Sequence, residues 1–157
     1  MNGKAQKRLH PILGEFDEKE RKDAYDKKLK GTGFGTRAVH AGQPPEAVYG
    51  SVNVPIHASS TYAQSDAAEP YYPGMDYSRV ANPTREALER CMASLEEAQY
   101  CHIFSSGCAA TNCISNLLTT GDEILCVDDV YGGTHRYFSK VLAPATNIKI
   151  TFADFST

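Results

Sequence analysis

The sequence predicts an α/β fold in three layers, with helices packed on a mainly parallel sheet, and three observations carry that reading. Between residues 99 and 152, short apolar or β-branched runs alternate with segments whose apolar residues recur at helical spacing. Turn chemistry separates them: Ser105-Ser106-Gly107, Thr120-Gly121-Asp122, Gly132-Gly133 and Pro144. Ahead of residue 83, by contrast, glycine and proline are too frequent for a compact layer of helices.

Residues 1–34 form a charged extension whose stretch GEFDEKERKDAYDKKLK is flanked or interrupted by only Leu9, Ile12, Leu13, Phe16, Tyr25 and Leu29 as sizeable anchors. A solvated tail and a surface helix both fit, and a frayed, disordered extension is the preferred reading. Residues 35–83 follow as an extended arm and dimer-contact segment. From Gly31 to Gly74 the glycines and prolines oppose a compact helix and allow brief extended pieces such as Ser51 to Ile56. An irregular arm of this length needs a surface to lie against, and a neighbouring subunit is the natural one. Tyr62, Tyr71, Tyr72 and Tyr77 suit such an interface.

Residues 84–157 are the first part of the α/β domain. Asn82 is placed to cap a helix whose first position is Pro83, with Leu88, Cys91, Met92 and Leu95 as its apolar stripe. Glu86 and Arg90 pair four residues apart on its solvent side. A strand from about Gln99 to Phe104 leads into a helix from about Cys108 to Leu118, striped by Ala110, Cys113, Ile114, Leu117 and Leu118. Strand Glu123 to Val127 comes next. After Gly132-Gly133 a helix presents Tyr137, Phe138, Val141 and Leu142 to the core, Pro144 stops it, and Ile148 to Phe152 form a third strand. With three strands and no closing helix, the unit reads as the first half of something larger.

Composition narrows the function. A formal charge of -3, with 41% hydrophobic and 22% charged residues, gives no reason to expect a nucleic-acid partner. No run approaches the roughly 18 apolar residues of a membrane helix, and MNGKAQKRLHP lacks the apolar core of a secretory signal, so a cytoplasmic protein is expected. The five cysteines, Cys91, Cys101, Cys108, Cys113 and Cys126, form no CxxC pair and are expected as buried reduced thiols. The histidines show no HExxH or comparable spacing, so no metal site is expected.

The strand-to-helix junction at Ser105-Ser106-Gly107 is the chemical focus. Free backbone N–H groups and the positive end of a helix dipole would suit a phosphate there, although Ser106 and Gly107 could equally do no more than cap and turn. An unrelated nucleotide binder would need GxGxxG after a strand, which is absent.

From about Gly35 onward the chain resembles the N-terminal part of the trans-sulfuration enzymes that use pyridoxal 5'-phosphate (PLP). Four stretches carry the resemblance in fixed order: Thr36–Gly42 (TRAVHAG), Tyr77–Thr84 (YSRVANPT), Phe104–Ala110 (FSSGCAA) and Asp128–Thr134 (DDVYGGT). The wording YGGTHRYF and the N-terminal extension are most similar to cystathionine gamma-lyase. The resemblance implies the first part of the large PLP-binding domain of a fold-type I, aspartate aminotransferase-like enzyme. It further implies that Ser106, Gly107 and Cys108 grip the cofactor phosphate through backbone N–H groups, so that the side chain at Cys108 matters little. Tyr77 and Arg79 would reach that phosphate from a neighbouring subunit, and Tyr131 would stack on the cofactor ring and take part in proton handling. Gly132 and Gly133 fit either a close approach to the cofactor or a simple loop entry.

For a complete enzyme the resemblance implies a homo-oligomer, a dimer of dimers, acting on a small amino-acid substrate. The expected activity is a carbon–sulfur lyase of amino-acid metabolism that converts L-cystathionine to cysteine, 2-oxobutanoate and ammonia. A cystathionine gamma-synthase or methionine gamma-lyase relative is the alternative. In the family, the cofactor-anchoring lysine and the acid that pairs with the pyridine nitrogen lie downstream of these motifs. Seven of the nine lysines here precede residue 31, and Lys140 and Lys149 fall on a helix and a strand. Residues 1–157 alone are therefore expected to be inactive, or to act as an interaction or regulatory module.

Overall fold

The computed structural model describes residues 8–10, 14–72 and 74–156, which fall in two compact units, Met1–Ile103 and Phe104–Thr157. Ile12, Leu13 and Pro73, read above as two anchors and a turn residue, lie outside the described residues.

In the first unit, an antiparallel pair, β1 (Arg8–His10) and β2 (Gly14–Phe16), precedes helix α1 (Glu18–Lys28). Over this span the charged extension is thus a surface helix and not a solvated tail. Asp17 caps it by accepting the Glu20 N–H at 2.9 Å, and acids at its start and lysines at its end complement the helix dipole. No residue of α1 is buried, so what holds it is charge. Lys22 donates to Glu86 at 2.7 Å, and Arg90 reaches Asp26 at 2.7 Å and Asp23 at 2.9 Å.

The partners Glu86 and Arg90 belong to α3 (Pro83–Leu95); they pair four residues apart as expected, but their side of the helix meets α1 and is not open solvent. Their mutual separation is 3.9 Å, a weak contact, because each is turned toward a stronger partner on α1. Burial opposes the charge on Arg90, but the hydrogen bonds and field of Asp23 and Asp26 outweigh it and hold its pKa above the ordinary arginine value.

Helix α3 begins as its sequence predicts, with Pro83 at the first turn and the Asn82 carboxamide oxygen accepting from Thr84 N–H and Arg85 N–H. Its buried face differs from the expected stripe: Ala87, Cys91 and Ala93 are inside, whereas Leu88 is 49% exposed. Small residues face inward because a backbone lies close. A side chain on Gly42, whose φ is +73°, would bring its Cβ within 2.3 Å of the Ala87 carbonyl oxygen.

Gly42 follows helix α2 (Phe34–His40), a departure from the irregular arm expected from Gly33 and Gly35. Packing on α3 overrides the weak propensity: Ala41 is fully buried, and Arg37 donates to the Ser94 carbonyl at 2.9 Å. Beyond α2 the arm is irregular as expected, with Ser51 to Ile56 forming no ladder and a small antiparallel pair, β3 (Gln64–Asp66) and β4 (Glu69–Pro70). His57 is held through its backbone, donating to Thr84 Oγ1 and accepting from Asn82 Nδ2, both at 2.9 Å.

The second unit contains α4 (Gly107–Ser115), β5 (Glu123–Val127), α5 (Gly132–Tyr137), a π-helical turn (Phe138–Leu142), α6 (Ala143–Thr146) and β6 (Lys149–Ala153). Strands β5 and β6 pair in parallel, Glu123 opposite Lys149 through Val127 opposite Ala153. Phe138, Leu142 and Ile148 form the core, with Ile124, Cys126, Ile150 and Phe152 against it.

Four expectations were corrected here. Residues 99–104 form no ladder among the described residues; the Ile103 N–H goes instead to the Glu89 carboxylate at 3.2 Å. Pro144 does not stop the helix, because the π-helical turn ahead of it places proline in the first turn of α6, where its missing N–H costs little. Val141 is 55% exposed while Phe138 and Leu142 are buried. Finally, α4 buries Ser115, not its apolar stripe. The Ser115 hydroxyl lies 2.8 Å from the Tyr137 hydroxyl, and Ile114 and Leu117 stand exposed. The expectation of five buried thiols is a further correction: only Cys91 is buried, Cys101 and Cys126 are half-buried, and Cys108 and Cys113 are exposed.

Candidate cofactor-binding site

The junction before α4 is built from one capping interaction. Ser106 is extended, its Oγ accepts the Ala109 N–H at 3.1 Å, and its carbonyl accepts the Ala110 N–H at 3.1 Å. That leaves the Gly107 and Cys108 N–H groups with no acceptor among the described residues, at the positive end of a helix without an acidic residue in its first turn. Ser105 through Cys108 are exposed, and nothing lies within 4 Å of a Cβ built on Gly107. Free donors, open space and no competing carboxylate are what a phosphate dianion requires, so the residues fit the group.

Tyr131 ends the connection that leaves the carboxyl end of β5, the side of a parallel sheet where ligands gather. It is 75% exposed, and its carbonyl accepts the His135 N–H at 3.1 Å to start α5. The two following glycines differ in their surroundings. A Cβ on Gly132 would meet nothing, whereas one on Gly133 would sit 2.4 Å from the Tyr131 ring. His135 is occupied in stacking on Phe152, with ring centroids 4.4 Å apart, and no metal-binding cluster occurs among the described residues.

In the first unit, Tyr77 and Arg79 are brought together. The Arg79 guanidinium lies 4.8 Å above the Tyr77 ring, exposed and without an ion pair among the described residues. The turn that carries them is fixed to the arm: Tyr77 bridges Thr61, Ser78 N–H donates to the Ser60 carbonyl, and Tyr62 N–H donates to the Asp76 carbonyl. Sequence reasoning missed Arg85, whose guanidinium donates to the Ser78 and Val80 carbonyls at 2.8 and 2.9 Å. Its place one residue after Asn82-Pro83-Thr84, in reach of the preceding turn, was the available signal.

Comparison with known proteins gives the family of the chain. Residues 35–157 match the family model for Cys/Met metabolism PLP-dependent enzymes. The chain is 51% identical over 110 residues to a probable cystathionine gamma-synthase of Herpetosiphon aurantiacus, a match covering 70% of this chain and 34% of that protein. It is 49% identical over 124 residues to the cystathionine gamma-lyase of Macaca fascicularis, covering 78% of this chain and 30% of that one. The crystal structure of MetB from Corynebacterium glutamicum superposes with a TM-score of 0.76 at 44% identity, over 81% of this chain and 33% of that chain. The chain therefore spans about a third of the length of the relatives it matches. Its α/β architecture corresponds to the first part of the large domain of fold-type I enzymes. The chain belongs to the Cys/Met metabolism PLP-dependent enzyme family, from Gly35 onward.

Proposed function

We propose that this chain supplies the phosphate-gripping part of a PLP-dependent carbon–sulfur lyase that, with water, cleaves L-cystathionine to cysteine, 2-oxobutanoate and ammonia. The observation that carries the reading is the pair of N–H groups, Gly107 and Cys108, without an acceptor among the described residues at the acid-free start of α4. In this reading residues 35–83 are the dimer arm and residues 84–157 open the cofactor-binding domain.

Ser106, Gly107 and Cys108 hold the cofactor phosphate of their own subunit. Tyr77 and Arg79 reach the phosphate of a neighbouring subunit, the guanidinium fork matching two oxygens and the phenol donating to a third. Tyr131 covers one face of the cofactor ring, keeps water from it, and takes up or returns a proton through its hydroxyl. When bound, the cofactor supplies an electron sink for the carbanion formed next to the amino group. Dimerisation is then a condition of tight cofactor binding, within a cytoplasmic dimer of dimers.

The test is made on the complete protein that contains this chain. Release of cysteine from L-cystathionine supports the lyase; formation of cystathionine from cysteine and an activated homoserine, without that release, replaces it with the synthase reading. Residues 1–157 alone are expected to show no turnover, and sulfur-lyase activity of the isolated polypeptide would overturn that part. A second reading, an interaction module pairing with complete subunits, is favoured by the exposed Ile114 of α4 and the exposed Leu117 just after it. Co-purification of residues 1–157 with the complete protein supports it, and a monomer that ignores the complete protein removes it.

A further inference from the structure

We propose that Arg85 is a positioning residue for the cofactor phosphate, acting through Arg79; this rests on the phosphate role given to Arg79 above. The turn that carries Arg79 closes on itself, the Val80 and Ala81 N–H groups both donating to the Tyr77 carbonyl at 2.9 and 3.0 Å. Such a turn fixes its own curvature, and its ties to Ser60 and Tyr62 reach α3 only indirectly, by way of the arm and His57.

Arg85 adds a direct restraint from α3 to the turn. It stands in the first turn of α3 and donates Nη1–H to the Ser78 carbonyl at 2.8 Å and Nη2–H to the Val80 carbonyl at 2.9 Å. The fork thereby grips the backbone on both sides of Arg79. Its Nε faces the Glu89 carboxylate at 3.4 Å, and the same carboxylate oxygen accepts the Ile103 N–H. The base of the clamp is itself pinned, because Asn82 accepts the Arg85 N–H where α3 begins. Two arginines six residues apart have therefore divided the work: one is committed to backbone carbonyls, and the other is left exposed over Tyr77 without an ion pair among the described residues. A lysine at position 85 would keep the charge, yet a single ammonium cannot span two carbonyls in the plane of a guanidinium fork.

Pre-orientation of this kind shows in ligand affinity more than in helix stability. The experiment compares Arg85→Lys, Arg79→Ala and the double variant in the complete protein. It reads the pyridoxal phosphate dissociation constant, the melting temperature of the cofactor-free form, and amide hydrogen exchange at Val80 and Ala81 in that form. R85K is expected to weaken cofactor binding about fivefold and to speed exchange at both amides about tenfold, with the melting temperature within about 2 °C. In the R79A background R85K should have no further effect on affinity.

An R85K affinity loss that persists in the R79A background, or no loss while R79A alone weakens binding, overturns the proposal. If R79A leaves affinity unchanged, the phosphate role of Arg79 fails and takes the affinity half of the proposal with it. Unchanged exchange at Val80 and Ala81 would then show that Arg85 does not hold the turn either. Should R85K lower the melting temperature, Glu89→Gln leaves the fork in place but loosens its anchor; an affinity loss of about twofold, absent in the R79A background, supports the proposal, and no loss overturns it.

Discussion

The two units are stabilised in opposite ways. Met1–Ile103 buries small side chains, Ala41, Ala87, Cys91 and Ala93, and ties α1 to α3 with Lys22–Glu86 and the Arg90 pairs to Asp23 and Asp26. Phe104–Thr157 is built on the larger side chains of Phe138, Leu142 and Ile148, with a parallel strand pair against them. The contrast extends to the candidate site. In the proposed function the second unit would hold a phosphate with backbone N–H groups on a helix end, and the first with side chains, Arg79 and Tyr77, on a turn bonded by Arg85. A backbone site tolerates sequence change; a side-chain site does not.

The largest expected effect tests the apolar half. Phe138→Ala should destabilise the second unit by about 3 kcal/mol, through lost burial and the cavity left behind, and the loss measured by denaturant unfolding should be nearly independent of salt. Next comes the side-chain half of the site. Arg79→Ala should raise the pyridoxal phosphate dissociation constant of the complete protein about tenfold or more, whereas Cys108→Ala should stay within about twofold, since its N–H is retained. Equal losses for the two variants would erase the distinction between backbone and side-chain grip.

The ionic half of the contrast is smaller. Arg90→Ala should cost about 1–2 kcal/mol of stability at low salt, and most of that difference should vanish in about 1 M sodium chloride. A salt-independent loss would mean that packing of the arginine stem, not its charge, holds α1.

The smallest effect is a pH response of the arm. Glu46 accepts the Val48 and Tyr49 N–H groups at 2.7 and 2.8 Å, and these bonds, that to Tyr49 foremost, hold its pKa below the usual glutamate value of 4.5. A depressed carboxylate contributes fully above that value and loses its contribution as pH falls through the lowered one. Hydrogen exchange at Val48 and Tyr49 should therefore quicken, relative to its intrinsic rate, only below about pH 4.5, and Glu46→Gln should flatten the response.

Parts of this molecule were legible because their causes are local. Asn82-Pro83 announces α3 through a cap and a missing donor, both properties of two adjacent residues. Glu123–Val127 was placed residue for residue, since a short apolar run between turn signals has one ready use. Ser106 as a cap before an open helix start was likewise readable from three residues. The misses share another cause. Gly33 and Gly35 argue against a helix, and α2 exists because Ala41 and Arg37 find α3. Pro144 reads as a stop, and the π-helical turn ahead of it made it a start.

The sequence alone therefore determined the family motifs, the caps at Asn82 and Ser106 and the strand–helix–strand alternation from β5 to β6, all written within a few consecutive residues. The tertiary structure decided which face of α4 is inside, which partners Glu86 and Arg90 prefer, and that Arg85 holds the turn bearing Arg79. Those outcomes depend on groups distant along the chain or on the direction of a side chain, and periodicity reports that a helix has an apolar stripe without reporting what, if anything, will cover it.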